Sequence, residues 1–219
     1  MDFAKPEYAK SMYPYLAGLL PKRHDVLLEM ERHARENRFP AIGPLVGNFV
    51  LQQARMIGAR RIFEMGSGFG YSAAWFTQIA DAHVTCTDGT PDNRDLAEEY
   101  LTRLGVWDRI DFKVGRAQDY LKAADGPFDI IFCDIDKEQY PEAFKIAVDK
   151  VRVGGLLIFD NVCWSGYAWE DLPPNPEPYL IKMTPGVREL NKVAAACDKV
   201  QVAVNPTRDG VAVMLKVAD

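Results

Sequence analysis

From Arg61 onward, short apolar runs alternate with longer stretches in which apolar and charged positions mix at helical spacing. The runs Arg61–Met65, His83–Thr87, Ile110–Val114, Phe128–Cys133 and Leu156–Phe159 predict strands. The stretches between them, one running to Ala80 and then Asp92–Leu104, Gln118–Ala123 and Tyr140–Val151, predict helices. Such alternation with short turns implies a largely parallel sheet with right-handed crossovers. The end of the chain breaks the rhythm, because only Asn205-Pro206-Thr207-Arg208-Asp209-Gly210 separates Val200–Val204 from Val211–Val217. That spacing allows a hairpin and no crossover helix. The expected fold is α/β and doubly wound, Rossmann-like, with a mostly parallel seven-stranded sheet carrying one antiparallel strand from the C-terminal hairpin.

Residues 1–57 predict an N-terminal helical cap. Its first part sets Leu27, Leu28, Met30 and His33 among Lys22, Arg23, Asp25, Glu29, Glu31 and Arg32, and a second helix over Gly43–Ile57 gathers Leu45, Val46, Phe49, Val50 and Ala54 on one face. Residues 61–217 form the expected core of a single domain spanning 1–219. Between Val162 and Lys182 four prolines exclude regular structure through most of the segment. Residues 162–182 are therefore expected to form a lid or substrate loop rather than a plain surface linker.

Composition narrows the function classes. Hydrophobic residues make up 48% and charged residues 26% of the 219, ordinary values for a globular protein. A net charge of -5 without a concentrated basic stripe argues against a nucleic-acid partner. Met1–Lys10 holds Asp2, Lys5, Glu7 and Lys10 and lacks the apolar core of a signal peptide, and no run approaches the roughly 18 apolar residues of a membrane span. Cys86, Cys133, Cys163 and Cys197 form no CxxC pair. Reduced thiols in a cytoplasmic protein are the expectation.

The candidate chemistry lies at strand ends. Phe128–Cys133 empties into Asp134, and Leu156–Phe159 into Asp160 and Asn161. As neighbouring parallel strands they would bring three oxygen donors to the crevice where open α/β sheets bind ligands, a set suited to a hard divalent cation. An acid at a strand end can also cap the next helix. The first strand runs into Glu64-Met65-Gly66-Ser67-Gly68-Phe69-Gly70-Tyr71-Ser72, where alternating glycines let the backbone turn tightly against a ligand. Asp88, ending the second strand, is placed to accept the hydroxyls of an adenosine ribose. Gly68 and Gly70 are two apart, one residue short of the dinucleotide spacing, and Glu64 suits an ammonium and a sulfonium better than phosphates. S-adenosylmethionine is the favoured ligand over a nicotinamide dinucleotide.

With Gly-Arg-Ala-Gln-Asp at 115–119, Asp-Ile-Asp-Lys-Glu-Gln-Tyr at 134–140, Asp-Asn-Val-Cys-Trp-Ser-Gly at 160–166, Glu189-Leu190-Asn191 and Arg208-Asp209-Gly210, the chain over residues 40–217 resembles the cation-dependent O-methyltransferases, the group of catechol and caffeoyl-CoA O-methyltransferases. The resemblance implies that Glu64, Gly66 and Ser72 hold the methionine part of the cofactor, Asp88 the ribose, Ala117 and Gln118 the adenine edge, and the Ile42 backbone the cofactor carboxylate. It also implies that Asp134, Asp160 and Asn161 bind Mg²⁺ or another divalent cation such as Mn²⁺ or Ca²⁺, with Asp134 facing the cofactor and the chemistry as well. Lys137 becomes the catalytic base, and Lys137, Asn161 and Trp164 the substrate contacts. A free lysine titrates near about 10.4, so Lys137 must either be depressed by burial or the cation, or act by stabilising an oxyanion. His24, His33 and His83 are not at strand C-termini and are assigned packing or surface roles. Tyr167, Trp169 and Tyr179 join Trp164 as aromatics able to stack on a substrate.

The expected activity is methyl transfer to one hydroxyl of a vicinal dihydroxy aromatic. A nicotinamide-dependent oxidoreductase and a non-catalytic S-adenosylmethionine-binding protein are the alternatives. Residues 162–180 carry Glu170, Asp171 and Glu177 and no lysine or arginine, which favours a small neutral or cationic catechol over a polyanionic CoA thioester. A homodimer is the expected assembly, with the helical N-terminus as the contact.

Overall fold

The computed structural model describes residues 6–219, with side chains from residue 11 onward. Residues 1–5, where the predicted cap and the charged N-terminus begin, lie outside the described residues. The strands are β1 (Arg61–Met65), β2 (His83–Asp88), β3 (Ile110–Val114), β4 (Phe128–Cys133), β5 (Val151–Phe159), β6 (Val200–Asn205) and β7 (Val211–Lys216). They form one seven-stranded sheet in the order β3-β2-β1-β4-β5-β7-β6. Strands β1 to β5 are parallel, and β7 runs antiparallel to both β5 and β6. The order reverses between β1 and β4, and their C-terminal ends open the crevice predicted for a ligand.

Strand side chains alternate faces with period two, and the core divides accordingly. Ile62, Val84, Cys86, Ile130, Phe132, Leu156 and Ile158 pack on one face with residues of α2 (Asp25–Glu36), α3 (Gly43–Met56), α4 (Tyr71–Phe76) and α5 (Pro91–Arg103). Phe63, Met65, Ile131, Cys133, Leu157 and Phe159 pack on the other with α6 (Ala117–Ala123), α7 (Tyr140–Lys150) and α8 (Pro178–Ala195). Met30, Val46 and Val50 of the N-terminal helices are fully buried in the first core. Helix α1 (Pro6–Gly18) lies ahead of them. Among the described residues no helix is long and apolar enough to cross a membrane.

Three elements differ from the sequence expectation. The helix predicted to run to Ala80 stops at Phe76, since all six residues of α4 are buried and the following carbonyls of Thr77 and Ile79 accept from Arg109 instead. Strand β5 starts at Val151 rather than Leu156, its early part disguised by Arg152 and two glycines and by a register shift opposite Phe128–Ile130. Helix α8 was not anticipated at all, because Pro185 and Gly186 interrupt its pattern. Pro178 sits in its first turn, where a missing N–H is harmless, so residues 178–182 of the expected lid are helical.

Candidate functional site

At the C-terminal ends of β1, β2, β4 and β5 lies a cleft of about 1140 Å³ that Gly66, Asp88, Gln118, Asp134, Lys137 and Asp160 line together. A smaller cavity of about 140 Å³ adjoins it, between Ile42 and the glycine loop with Ser72.

The glycine loop is fixed by its neighbours. Gly66 and Ser67 donate their backbone N–H groups to the Thr87 carbonyl at 3.1 and 2.8 Å. Gly66 has φ +83°, and a Cβ there would lie 2.6 Å from the Asp134 carbonyl oxygen, so no other residue allows this approach. Under the loop, Glu64 is completely buried. Burial raises its carboxyl to about 7, against hydrogen bonds from Ser72, Ser67 and Cys86 that lower it. Its Oε1 is buried without a hydrogen-bond partner.

Asp88 serves the loop and the next helix at once. Its Oδ2 accepts from the Gly68 N–H at 3.0 Å, and its Oδ1 from the Thr90 N–H and the Asn93 amide, each at 2.9 Å. The contact to Thr90 is an Asx turn that leads the chain into α5. Asn93 escaped the sequence reading, although Asp-Gly-Thr-Pro-Asp-Asn is a turn-rich string that could have flagged it. Ala117 and Gln118 occupy the first turn of α6, both buried. Gln118 donates Nε2 to Gln139 Oε1 at 2.6 Å, while its own Oε1 has no partner. Gln139 was also missed, hidden in a short 3₁₀ turn.

On the other wall, Asp134 directly follows β4 and Asp160 and Asn161 directly follow β5, side by side as the parallel pairing requires. All three line the cleft with Lys137 and Trp164. Lys137 is buried to 8% exposure and donates Nζ to Asp134 Oδ1 at 2.6 Å and to the Ile135 carbonyl at 3.1 Å. Asp160, at 3% exposure, is held above the ordinary carboxylate range, first by burial and then by the charge of Asp134. Its Oδ1 is buried without a partner, and its backbone carbonyl accepts from the Tyr140 hydroxyl at 2.8 Å. Asn161 adopts φ +58°, a left-handed conformation that asparagine tolerates better than bulkier residues.

Among the described residues no three His, Cys, Asp or Glu side chains form a metal-binding group. The candidate cation set is therefore two carboxylates and an amide. These donors fit a hard cation: all are oxygens, and an orphaned carboxylate oxygen stands beside a like charge that a cation would relieve. The orphaned oxygens of Glu64, buried beneath the glycine loop, and of Gln118, on the cleft wall, likewise fit a ligand with an ammonium and an exocyclic amine.

The outer wall is pinned from behind. Trp164 donates Nε1 to Thr184 Oγ1 at 2.9 Å and meets the Tyr179 ring edge-on at 6.4 Å. Arg188 donates Nε to the Tyr167 carbonyl at 3.0 Å, and Asn191 its amide to the Val162 carbonyl at 2.9 Å. The hairpin turn adds Asp209, which accepts from the Ser165 N–H, and Arg208, which donates to the Ala41 carbonyl at 2.9 Å. Of the four candidate aromatics only Trp164 lines the cleft, with Trp169 and Tyr179 turned to solvent. The histidines do structural work as expected: His24 Nδ1 accepts from the Val26 N–H at 3.2 Å, and His33 packs on Phe69. Cys86 and Cys133 are buried, and all four cysteines are free thiols.

Residues 21–217 match the O-methyltransferase family. The chain is 31% identical over 220 residues to a caffeoyl-CoA O-methyltransferase of Pinus taeda, covering 94% of this chain and 85% of that one. It is 28% identical over 203 residues to a catechol O-methyltransferase of Niastella koreensis, covering 89% of each. Among solved structures, the O-methyltransferase TomG from Streptomyces achromogenes, involved in tomaymycin synthesis and in complex with SAM, superposes with a TM-score of 0.84 at 28% identity, covering 95% of this chain and 96% of that one.

Proposed function

Because this chain belongs to the O-methyltransferase family and is an S-adenosylmethionine-dependent enzyme of the caffeoyl-CoA and catechol type, we propose that it methylates one hydroxyl of a small vicinal dihydroxy aromatic with the help of a divalent cation. The nicotinamide oxidoreductase reading is not favoured. The observation that carries the proposal is the convergence of Asp134, Asp160, Asn161 and Lys137 on the cleft that the glycine loop closes from the other side.

In this reading Glu64, Gly66, Ser72 and the Ile42 backbone hold the methionine end of the donor. Asp88 holds the ribose, and Ala117 and Gln118 the adenine. Asp134, Asp160 and Asn161 hold Mg²⁺ or a similar ion, which when bound lowers the pKa of an acceptor phenol and fixes its orientation. Lys137, held against Asp134, stands where it can take up or stabilise the charge of the acceptor oxygen. Trp164 supplies a flat apolar wall for an aromatic ring. Much of the acceleration comes from holding the acceptor oxygen in line with the donor methyl while water is kept out.

The acceptor is proposed to be neutral or cationic. Glu170, Asp171 and Glu177 stud the outer segment, while two basic residues at and beyond its end are engaged: Lys182 with Glu138 at 2.6 Å and Arg188 with the Tyr167 carbonyl. These contacts and the acidic residues disfavour a polyanionic tail at this wall. We further propose a single domain, with residues 1–57 as its helical cap, 61–217 as its core and 162–182 as the substrate loop. A cytoplasmic home fits the four free thiols. A homodimer fits the exposed Met12 and Tyr15 of α1 and Leu19 just after it. The test is an acceptor screen with labelled S-adenosylmethionine, with and without Mg²⁺, comparing catechols with CoA thioesters. Labelling confined to the thioesters would overturn the acceptor class.

A further inference from the structure

We infer that Gly186 of α8 is a positioning residue for Lys137, an inference that rests on the role proposed above for that lysine. A Cβ at Gly186 would lie 2.1 Å from the Lys137 carbonyl oxygen, 2.8 Å from its carbonyl carbon and 2.7 Å from Glu138 Cα. All three are backbone atoms, which cannot swing aside as a side-chain tip can. Glycine also weakens a helix interior relative to alanine, so α8 accepts a less favourable residue at the point where it meets the lysine turn.

That turn is short and held on every side. Residues Lys137–Gln139 form one 3₁₀ turn between Asp134, which receives the Lys137 ammonium, and Tyr140, whose hydroxyl donates to the Asp160 carbonyl. Helix α8 closes the remaining side through Gly186 and, one helical turn earlier, through Lys182, whose Nζ lies 2.6 Å from Glu138 Oε1. The same helix carries Thr184, Arg188 and Asn191, which hold the Trp164 wall. The lysine and the acceptor wall are thereby referenced to one rigid element. Any side chain at 186 must separate α8 from the turn and displace Lys137 from Asp134. Displacement on the order of 1 Å at a reacting group can lower turnover by about 10²-fold.

The experiment compares Gly186→Ala with Gly155→Ala and Lys137→Met in steady-state kinetics, S-adenosylhomocysteine binding and thermal midpoint. Gly155 is also crowded by backbone, its Cβ position 2.7 Å from the Asp129 carbonyl oxygen, and it is not among the residues lining the cleft. The expected result for G186A is a fall of about 30- to 100-fold in kcat, with acceptor KM and S-adenosylhomocysteine affinity within about threefold. G155A, though destabilised, should keep kcat per folded molecule. Loss in K137M with full kcat in G186A would overturn the inference and leave the role of Lys137 standing. An equal loss in G155A and G186A would reduce Gly186 to a packing residue, and unchanged turnover in K137M would remove the premise itself. Should G186A fail to bind S-adenosylhomocysteine or to fold, Lys182→Ala loosens the turn without adding an atom. It is expected to lower kcat about threefold with unchanged cofactor affinity, and an unchanged kcat would overturn the inference.

Discussion

The donor wall proposed for the cleft is built around one continuous stretch, residues 64–72, closed by Asp88 and completed at its edges by Ile42, Ala117 and Gln118. The acceptor wall draws on residues 134–137, 160–164, 184–191 and 208–210, four segments that meet only in the folded sheet. The donor wall is held mainly through its own backbone N–H groups, Gly66 and Ser67 donating to the Thr87 carbonyl and Gly68 to the Asp88 carboxylate. The acceptor wall is held by side chains from a helix and a hairpin remote in sequence, Thr184, Arg188, Asn191 and Asp209. A backbone-built wall tolerates most distant substitutions. A wall assembled from side chains is sensitive to residues that never touch the acceptor.

Substitutions can separate the two walls. Asp160→Ala should have the largest effect, lowering kcat by about 10³-fold with S-adenosylhomocysteine affinity within about threefold, because it empties the acceptor wall and spares the donor wall. Comparable losses in both measurements would mean the walls are not separable. Asp88→Ala is the mirror case. By isothermal titration its S-adenosylhomocysteine affinity should fall about 10- to 30-fold, with kcat at saturating cofactor changing far less.

The pH dependence of donor binding isolates Glu64. Its carboxyl is raised to about 7 from an ordinary value of 4.5, so below that pH it is neutral and makes no ion pair with a cationic donor. S-adenosylmethionine affinity should rise with pH by up to about tenfold per unit until near 7 and then level off, and Glu64→Gln should flatten the profile. The same shift acts on stability in the opposite sense. The contribution of neutral Glu64 is fully present below pH 4.5 and is lost as pH rises through about 7, so ligand-free protein should melt lower at pH 8 than at pH 6 if this group dominates. Trp164→Phe gives the smallest effect, a rise of about threefold in acceptor KM, since it keeps an aromatic face while giving up part of the indole and the hydrogen bond to Thr184.

The contrast also explains what could be read from the chain. The donor wall is legible because a glycine loop between a strand and a helix places its residues by local geometry, and the positive φ of Gly66 is written in the residue type. Asp134 and Asp160 are legible for a related reason, since apolar runs that end on an acid announce a parallel strand and its C-terminus. Helix α8 is not, because Pro185 and Gly186 read as breakers when their neighbours are unknown. Gly186 makes sense only beside the Lys137 carbonyl 2.1 Å from its Cβ position, a contact across 49 residues that no window of sequence contains. Asn93, Gln139 and Thr184 stayed hidden for the same reason, each being defined by a partner's position rather than by its own pattern.

The acceptor wall is expected to work only with a cation held by Asp134, Asp160 and Asn161, while the donor wall binds its ligand without one. Protein stripped with EDTA should methylate a catechol at less than about 1% of the rate regained on adding Mg²⁺, Mn²⁺ or Ca²⁺, and should still bind S-adenosylhomocysteine in the same buffer. An undiminished rate in the stripped protein would mean that these three residues hold no catalytic cation.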